Sequence, residues 1–231
     1  MFPQRRMRRL RGRLLQPLVQ ENFISKADLV APLFVDENAE RPIPIPSMPG
    51  QFRYPAAGIV RAAEGLREKG IPAILLFGIP ARKDAGASEA YNPEGIVHQA
   101  VRSLKASLPD LVVITDVCAC EYTDHGHCGI LTDGPWGPDL DNDRSLELMA
   151  QIAVSHARAG ADIVAPSCML DGMVATVRHA LDDAGFTDTA IMSYSTKFAS
   201  ALYGPFREAV DSGYSFGDRS TYQINPANGR E

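Results

Sequence analysis

Leu111-Val-Val-Ile-Thr-Asp-Val-Cys-Ala-Cys-Glu-Tyr-Thr-Asp-His-Gly-His-Cys128 joins a short apolar run to a cluster holding three of the chain's four cysteines and two of its five histidines. The run reads as a strand buried on both faces. Residues two apart on an extended chain project to the same side, so Cys118 and Cys120 can both face one ion. Cys128 then returns from a Gly-containing loop with a third thiolate. Three sulfurs suit zinc, and a three-ligand set leaves a fourth position for water or substrate, the pattern of a catalytic rather than a structural zinc. Inert buried cysteines account poorly for a Cys-x-Cys-x7-Cys cluster, and four cysteines in 231 residues do not make a secreted disulfide scaffold. His125 and His127 can be ligands or can stand behind the ligands as proton carriers, and the pattern leaves both roles open.

The same strand signal recurs on either side. Residues 28–35 and 71–78 are apolar runs, and 162–167 and 189–195 repeat the pattern further on. Helical spacing lies between them: 59–69 with Gly70 as its stop, 92–108 with Asn92 as cap and Pro93 in the first turn, 145–159 closed by Gly160, and a helix opened by Asp171 or Gly172 and ending near Gly185. A last helical piece covers about 205–211, before Gly-, Ser- and Asn-rich sequence. Residues 41–50 are too rich in proline for a helix or a central strand. Strands apolar on both faces that alternate with helices predict a parallel sheet covered by helices.

Phe77-Gly78, the segment from Asp116 to Cys128, Ser167-Cys168 and Lys197 all follow strands. Chemistry gathered at the C-terminal ends of strands predicts a (β/α) barrel of the TIM type. A doubly wound open sheet is the competing fold, although no Gly-x-Gly-x-x-Gly follows any of these strands. Five strands are fewer than the eight of a closed barrel, so the expectation is either an open sheet or a barrel incomplete at its C-terminus.

A composition of 45% hydrophobic and 22% charged residues, with no apolar run long enough to span a membrane, reads as a soluble globular protein. The net charge of -5 argues against nucleic acid as a partner. The exception is residues 4–13, which carry six arginines and read as a solvated or subunit-contacting arm. Residues 1–27 are therefore assigned to an N-terminal arm and 28–231 to the catalytic domain. A reducing cytoplasm is the simplest compartment, since it keeps the thiols available for metal.

Lys197 is one of five lysines in a chain with eighteen arginines, and it sits just past a strand beside Tyr194, Phe198, Tyr203 and Phe206. Aromatic neighbours that desolvate a lysine lower its pKa, and a neutral amine can attack a ketone to give a Schiff base. A lysine reaching solvent from a loop is the plainer reading for this residue taken alone. Arg207, Arg219 and Gln223 follow closely enough to clamp a carboxylate beside it.

Together these residues resemble the porphobilinogen synthase, or 5-aminolevulinate dehydratase, family. The resemblance is carried by Leu29-Val-Ala-Pro-Leu-Phe-Val35, Leu75-Leu-Phe-Gly-Ile-Pro80, the segment from Asp116 to Gly129, Tyr194-Ser-Thr-Lys-Phe-Ala-Ser200, Tyr203-Gly-Pro-Phe-Arg207, Asp218-Arg-Ser-Thr-Tyr-Gln223 and Asn225-Pro-Ala-Asn228. It implies an aldolase-type (β/α)8 TIM barrel, with an arm that wraps a neighbouring subunit in a homo-octamer. The reaction it implies condenses two 5-aminolevulinate molecules to porphobilinogen, with loss of two waters, in tetrapyrrole (haem) biosynthesis. By the same resemblance Cys118, Cys120 and Cys128 hold a catalytic Zn2+ and Lys197 forms the Schiff base. Arg207, Arg219 and Gln223 bind the substrate carboxylate, and Asp116 and Ser167 line the cavity. The resemblance also leaves room for Mg2+ at a site outside the motifs present. Cys168 stands where Asp is common in the family and Met173 where Arg is common. The family's second lysine and last barrel strands have no counterpart before Glu231, so the chain taken alone is expected to be inactive. Two alternatives use only part of this pattern. A one-lysine Schiff-base aldolase needs no thiolates, and a zinc-binding module needs no Lys197.

Overall fold

The computed structural model describes residues 14–135 and 137–230. The arginine-rich run 4–13 lies outside them. Five parallel strands form the frame: β1 (Val30–Asp36), β4 (Ala73–Ile79), β5 (Val112–Val117), β8 (Ile163–Pro166) and β9 (Ala190–Ile191), adjacent in that order. Before β4 come β2 (Ile43–Pro44) and β3 (Phe52–Tyr54), an antiparallel pair that extends the sheet beyond β1. Strands β6 (Leu131–Gly134) and β7 (Gly137–Leu140) make a separate hairpin after the cysteine loop.

Register decides which side chains share a face. Phe34 pairs with Phe77, Asp116 with Ala165 and Ile163 with Ala190. The opposite parity, Leu33, Val35, Ile74, Leu76 and Val113, packs on helices α1 (Ile59–Glu68) and α2 (Ile96–Ser107). Val164 does the same against α3 (Asn142–Ala159) and α4 (Met173–Asp183). Helices α1 to α4 thus all cover one face, whereas a doubly wound sheet carries helices on both. The other face is concave and holds Phe34, Phe77, Asp116 and Met192. This is the wall of a (β/α) barrel seen from inside.

Short α5 (Gly204–Ala209) closes the C-terminal rim. Its Phe206 ring lies 5.0 Å from Phe77 in an edge-on contact and 6.4 Å from Phe34. Beyond β9 the chain continues alongside β8, with the Met192 amide bonded to the Val164 carbonyl and the Tyr194 amide to that of Pro166. A parallel bridge then joins Phe198 to Ile224 and prolongs that edge.

Two local expectations change. The helix expected from Asn92 starts at Ile96, because the Asn92 side chain accepts from the Glu94 amide and its carbonyl from the Gly95 amide, making a turn. The helix expected from Ser145 starts three residues earlier, capped by Asp141, whose carboxylate accepts from the Arg144 amide. The proline-rich stretch 41–50 forms neither a helix nor a central strand, as expected; its Ile43–Pro44 is an edge strand, a place where a missing amide costs no ladder bond.

Candidate active site and metal centre

The strand ends bring the chemistry together. Strand β5 runs into Cys118, and β8, paired to it at Val117 and Pro166, runs into Ser167 and Cys168. Cys118, Cys120 and Cys128 are each no more than 2% exposed, and their sulfurs all lie within 4.8 Å of one another. The sulfurs of Cys118 and Cys120 are 3.3 Å apart. Three ligands at the Zn–S distance of about 2.3 Å around a tetrahedral ion have sulfurs about 3.8 Å apart, so the donor set fits such an ion with small adjustments. Hydrogen bonds from Cys118, Cys120 and Cys168 pull Cys128 well below the ordinary thiol range, favouring one thiolate. Asp116, Cys118 and Glu121 form a second, harder group of possible ligands.

A segment far along the chain holds the cysteine loop in shape. Arg219 donates to the carbonyls of Gly126 and Ser212, both at 2.8 Å. Gly126 has φ +74, and a Cβ there would lie 2.3 Å from the Gly213 carbonyl oxygen. His127 donates from Nε2 to the Phe216 carbonyl, so its Nδ1 accepts from the Tyr222 hydroxyl, both at 3.0 Å. His125 accepts on Nδ1 from the His127 amide, which puts its proton on Nε2. Neither ring belongs to the sulfur group.

A cavity of about 400 Å³ adjoins this cluster. Lys197, Asp116, Ser167, Cys120 and Glu121 line its polar side, and Phe34, Phe77, Phe206 and Met192 belong to its apolar wall. Lys197 is 8% exposed, with its ammonium donating to the Ser167 carbonyl at 2.8 Å and lying 5.6 Å from the Tyr203 ring centre. The expected lowering of its pKa is reversed. Burial does push it down, but the Cys128 thiolate above all, with the neighbouring Cys118 and Cys120 sulfurs and Asp116, outweighs this and raises it. Ser167 donates to Asp116 at 3.2 Å. Burial, reinforced by Glu121, pushes the Asp116 carboxyl well up, and burial likewise raises Glu121. Each keeps one buried oxygen, Asp116 Oδ1 and Glu121 Oε1, with no hydrogen-bond partner among the described residues.

Arg207, Arg219 and Gln223 are not in the cavity wall. Arg207 and Arg219 lie over the Tyr214 ring, at 5.1 and 6.0 Å from its centre, and Gln223 is buried. Glu121 is a site residue that the motifs above leave out, although a carboxylate directly after Cys120 in a buried loop is a signal for one.

The family model for delta-aminolevulinic acid dehydratase matches residues 4–231. The chain belongs to the delta-aminolevulinic acid dehydratase family. It is 50% identical over 230 residues to the delta-aminolevulinic acid dehydratase of Archaeoglobus fulgidus, covering 100% of this chain and 70% of that one. With the enzyme of Methanothermus sociabilis the identity is 52% over 231 residues, covering 100% and 71%. The crystal structure of the Toxoplasma gondii ME49 dehydratase, in complex with the reaction product porphobilinogen, superposes with a TM-score of 0.92 at 40% identity. That superposition covers 99% of this chain and 65% of the parasite's. The chain thus spans about two thirds of the length of the relatives it matches. Its five consecutive strands and one-sided helices are that family's barrel architecture over the part described.

Proposed function

We propose that the cavity carries out the family's reaction, joining two 5-aminolevulinate molecules into porphobilinogen with loss of two waters. One observation carries this reading: Lys197 and Cys120 line the same cavity, so an amine and a sulfur-rich metal centre face one ligand. A one-lysine aldolase leaves the sulfurs idle, and a zinc module leaves the buried amine idle.

In this reading Lys197, freed of a proton, adds to the ketone carbon, and expulsion of water gives the imine, whose neighbouring carbon is more acidic. Asp116 and Glu121 have raised pKa values and unpartnered oxygens, which suits them to hold and return protons around that step. Phe34, Phe77 and Phe206 exclude bulk water from it. Zinc held by Cys118, Cys120 and Cys128 would supply Lewis acidity at an open coordination position. Arg207, over the Tyr214 ring, gives the substrate carboxylate a positively charged partner at the rim, and Arg219, tied to the Gly126 and Ser212 carbonyls, adds its charge from where it stands.

The segment before β1 exposes Leu14 at 90%, Leu18 at 80% and Ile24 at 87%. Apolar side chains laid out in this way support a homo-oligomer in which a second subunit covers them, as the octameric arm of the resemblance requires. The four free thiols support a reducing, cytoplasmic setting. Borohydride reduction in the presence of 5-aminolevulinate tests the central claim. A mass increase mapped to Lys197 is expected, and labelling elsewhere or nowhere refutes it.

A further inference from the structure

Asp116, Cys118 and Glu121 place one ligand atom each within 4.8 Å of one another, and Cys118 also belongs to the three-sulfur group, so the two groups meet at its sulfur. Asp116 and Cys118 are two residues apart at the end of β5 and project to one side. A turn follows, in which the Tyr122 and Thr123 amides both bond to the Ala119 carbonyl, and it carries Glu121 back toward them. Asp116 is 8% and Glu121 2% exposed. Each uses one carboxylate oxygen on a neighbouring donor: Asp116 Oδ2 accepts from the Ser167 hydroxyl at 3.2 Å and Glu121 Oε2 from the Cys120 thiol at 3.4 Å. The other oxygens, Asp116 Oδ1 and Glu121 Oε1, are buried without a partner among the described residues. None of the ion pairs among those residues includes either carboxylate, and the Lys197 ammonium is bonded to the Ser167 carbonyl instead.

We propose that Asp116, Cys118 and Glu121 hold a second divalent cation, joined to the three-cysteine ion through the shared Cys118 sulfur. The inference rests on reading Cys118, Cys120 and Cys128 as a metal centre. A buried carboxylate is paired, protonated or bound to a metal, and neither of these has an ion-pair partner. Filling the three-cysteine site sharpens the need. Cys120 gives up its proton on becoming a ligand, its hydrogen bond to Glu121 goes with it, and Glu121 is left without a donor on either oxygen. A cation between the two carboxylates supplies what both lack. Two oxygens and one sulfur suit a borderline ion such as zinc or cobalt(II) better than magnesium, which takes oxygen ligands. The second ion has one sulfur, and that one shared, so it is held more weakly than the first and leaves on dialysis. Proton and cation compete for the same carboxyls, so the loaded pair and the proton-holding pair of the reaction are alternative states of one site.

The test titrates cobalt(II) into the chain as it stands, with free ion kept in equilibrium; metal analysis gives the count and X-ray absorption at the cobalt edge gives the neighbours. Two ions per chain are expected, with a cobalt–cobalt vector of about 3.5 to 4 Å, the spacing of paired metals in one site. Dialysis should leave one ion and no vector. Glu121→Gln and Asp116→Asn should each stop at one ion at the cobalt concentration that gives two in the parent. The parent's count and vector decide the matter even if neither variant folds. A single ion in the parent, or a second ion with no cobalt neighbour within about 4 Å, overturns the second site while leaving the three-cysteine centre standing. Two ions with the vector intact in both variants overturn it equally. Failure to bind cobalt at all overturns both.

Discussion

Lowering the pH from 7 to 5 is expected to destabilise this fold through a histidine pair far from the cavity. His98 of α2 and His156 of α3 are 2% and 0% exposed, with ring centres 5.0 Å apart. Ser155 gives its own proton to the Ile152 carbonyl at 2.8 Å, so His98 Nε2 must donate to the Ser155 oxygen at 3.0 Å. His98 Nδ1 then keeps a buried lone pair with no partner, and a proton placed there would have no acceptor. Burial and the Arg102 charge lower His98 to about 4. Burial and His98 lower His156 to about 3, against a weak opposing pull from Ala90. Between 6.5 and these values the unfolded chain binds more protons than the folded one, so stability rises with pH and is lost as pH falls. At 1.36 kcal/mol per pKa unit, each ring costs about 2 kcal/mol at pH 5, and the pair about 3 to 4 kcal/mol. The buried carboxyls Asp116 and Glu121, shifted upward, act in the opposite sense, so the test compares variants rather than reading one slope. Urea midpoints at pH 7 and pH 5 are measured for the parent and for His156→Leu. The variant should lose about 2 kcal/mol less between the two pH values. An equal loss in both proteins would show that the pair does not titrate as argued.

Other perturbations act at the site itself. Cys128→Ala should abolish stoichiometric zinc binding, measured by metal analysis after dialysis, while the circular dichroism of the fold persists; full retention of zinc would refute its place among the ligands. Lys197→Met, close in length and without the amine, should eliminate borohydride trapping of 5-aminolevulinate, and continued trapping would mean that another amine reacts. Gly126→Ala combines a left-handed backbone with a Cβ 2.3 Å from the Gly213 carbonyl, and should cost at least about 1 to 2 kcal/mol in thermal unfolding. An unchanged midpoint would mean that the loop relaxes freely.

The strands of the frame were legible because burial on both faces leaves few polar residues to interrupt a run, as in Ala73–Ile79 and in Val112–Ile114 ahead of Thr115 and Asp116. The β6–β7 hairpin was not. It is short, with exposed or half-buried residues and Gly and Pro in its strands, so no period-2 signal survives. The start of α3 was hidden among neighbouring Asp and Asn residues, any of which caps a helix plausibly. At the site, the crowding of cysteines was visible in their spacing, but the electrostatics were not. Lys197 looked like an amine lowered by aromatic rings, whereas the sulfurs that raise it come from a loop about seventy residues earlier. Arg219 looked like a free clamp, and only tertiary structure reveals the two carbonyls that hold it.

The ties between the cysteine loop and residues 212–222 have a bearing on how the protein is made. Arg219 and Tyr222 reach back 93 and 95 positions to Gly126 and His127. At about 5–20 residues per second, a translating ribosome delivers these tethers roughly 5 to 20 s after Cys128. During that interval the thiols have left the ribosome without the contacts that later bury them. A cell that supplies metal or oxidant at the wrong moment would meet three exposed sulfurs and no finished pocket. Loading the ion correctly is then a late event in the life of each nascent chain, set by the emergence of a segment that contributes no ligand.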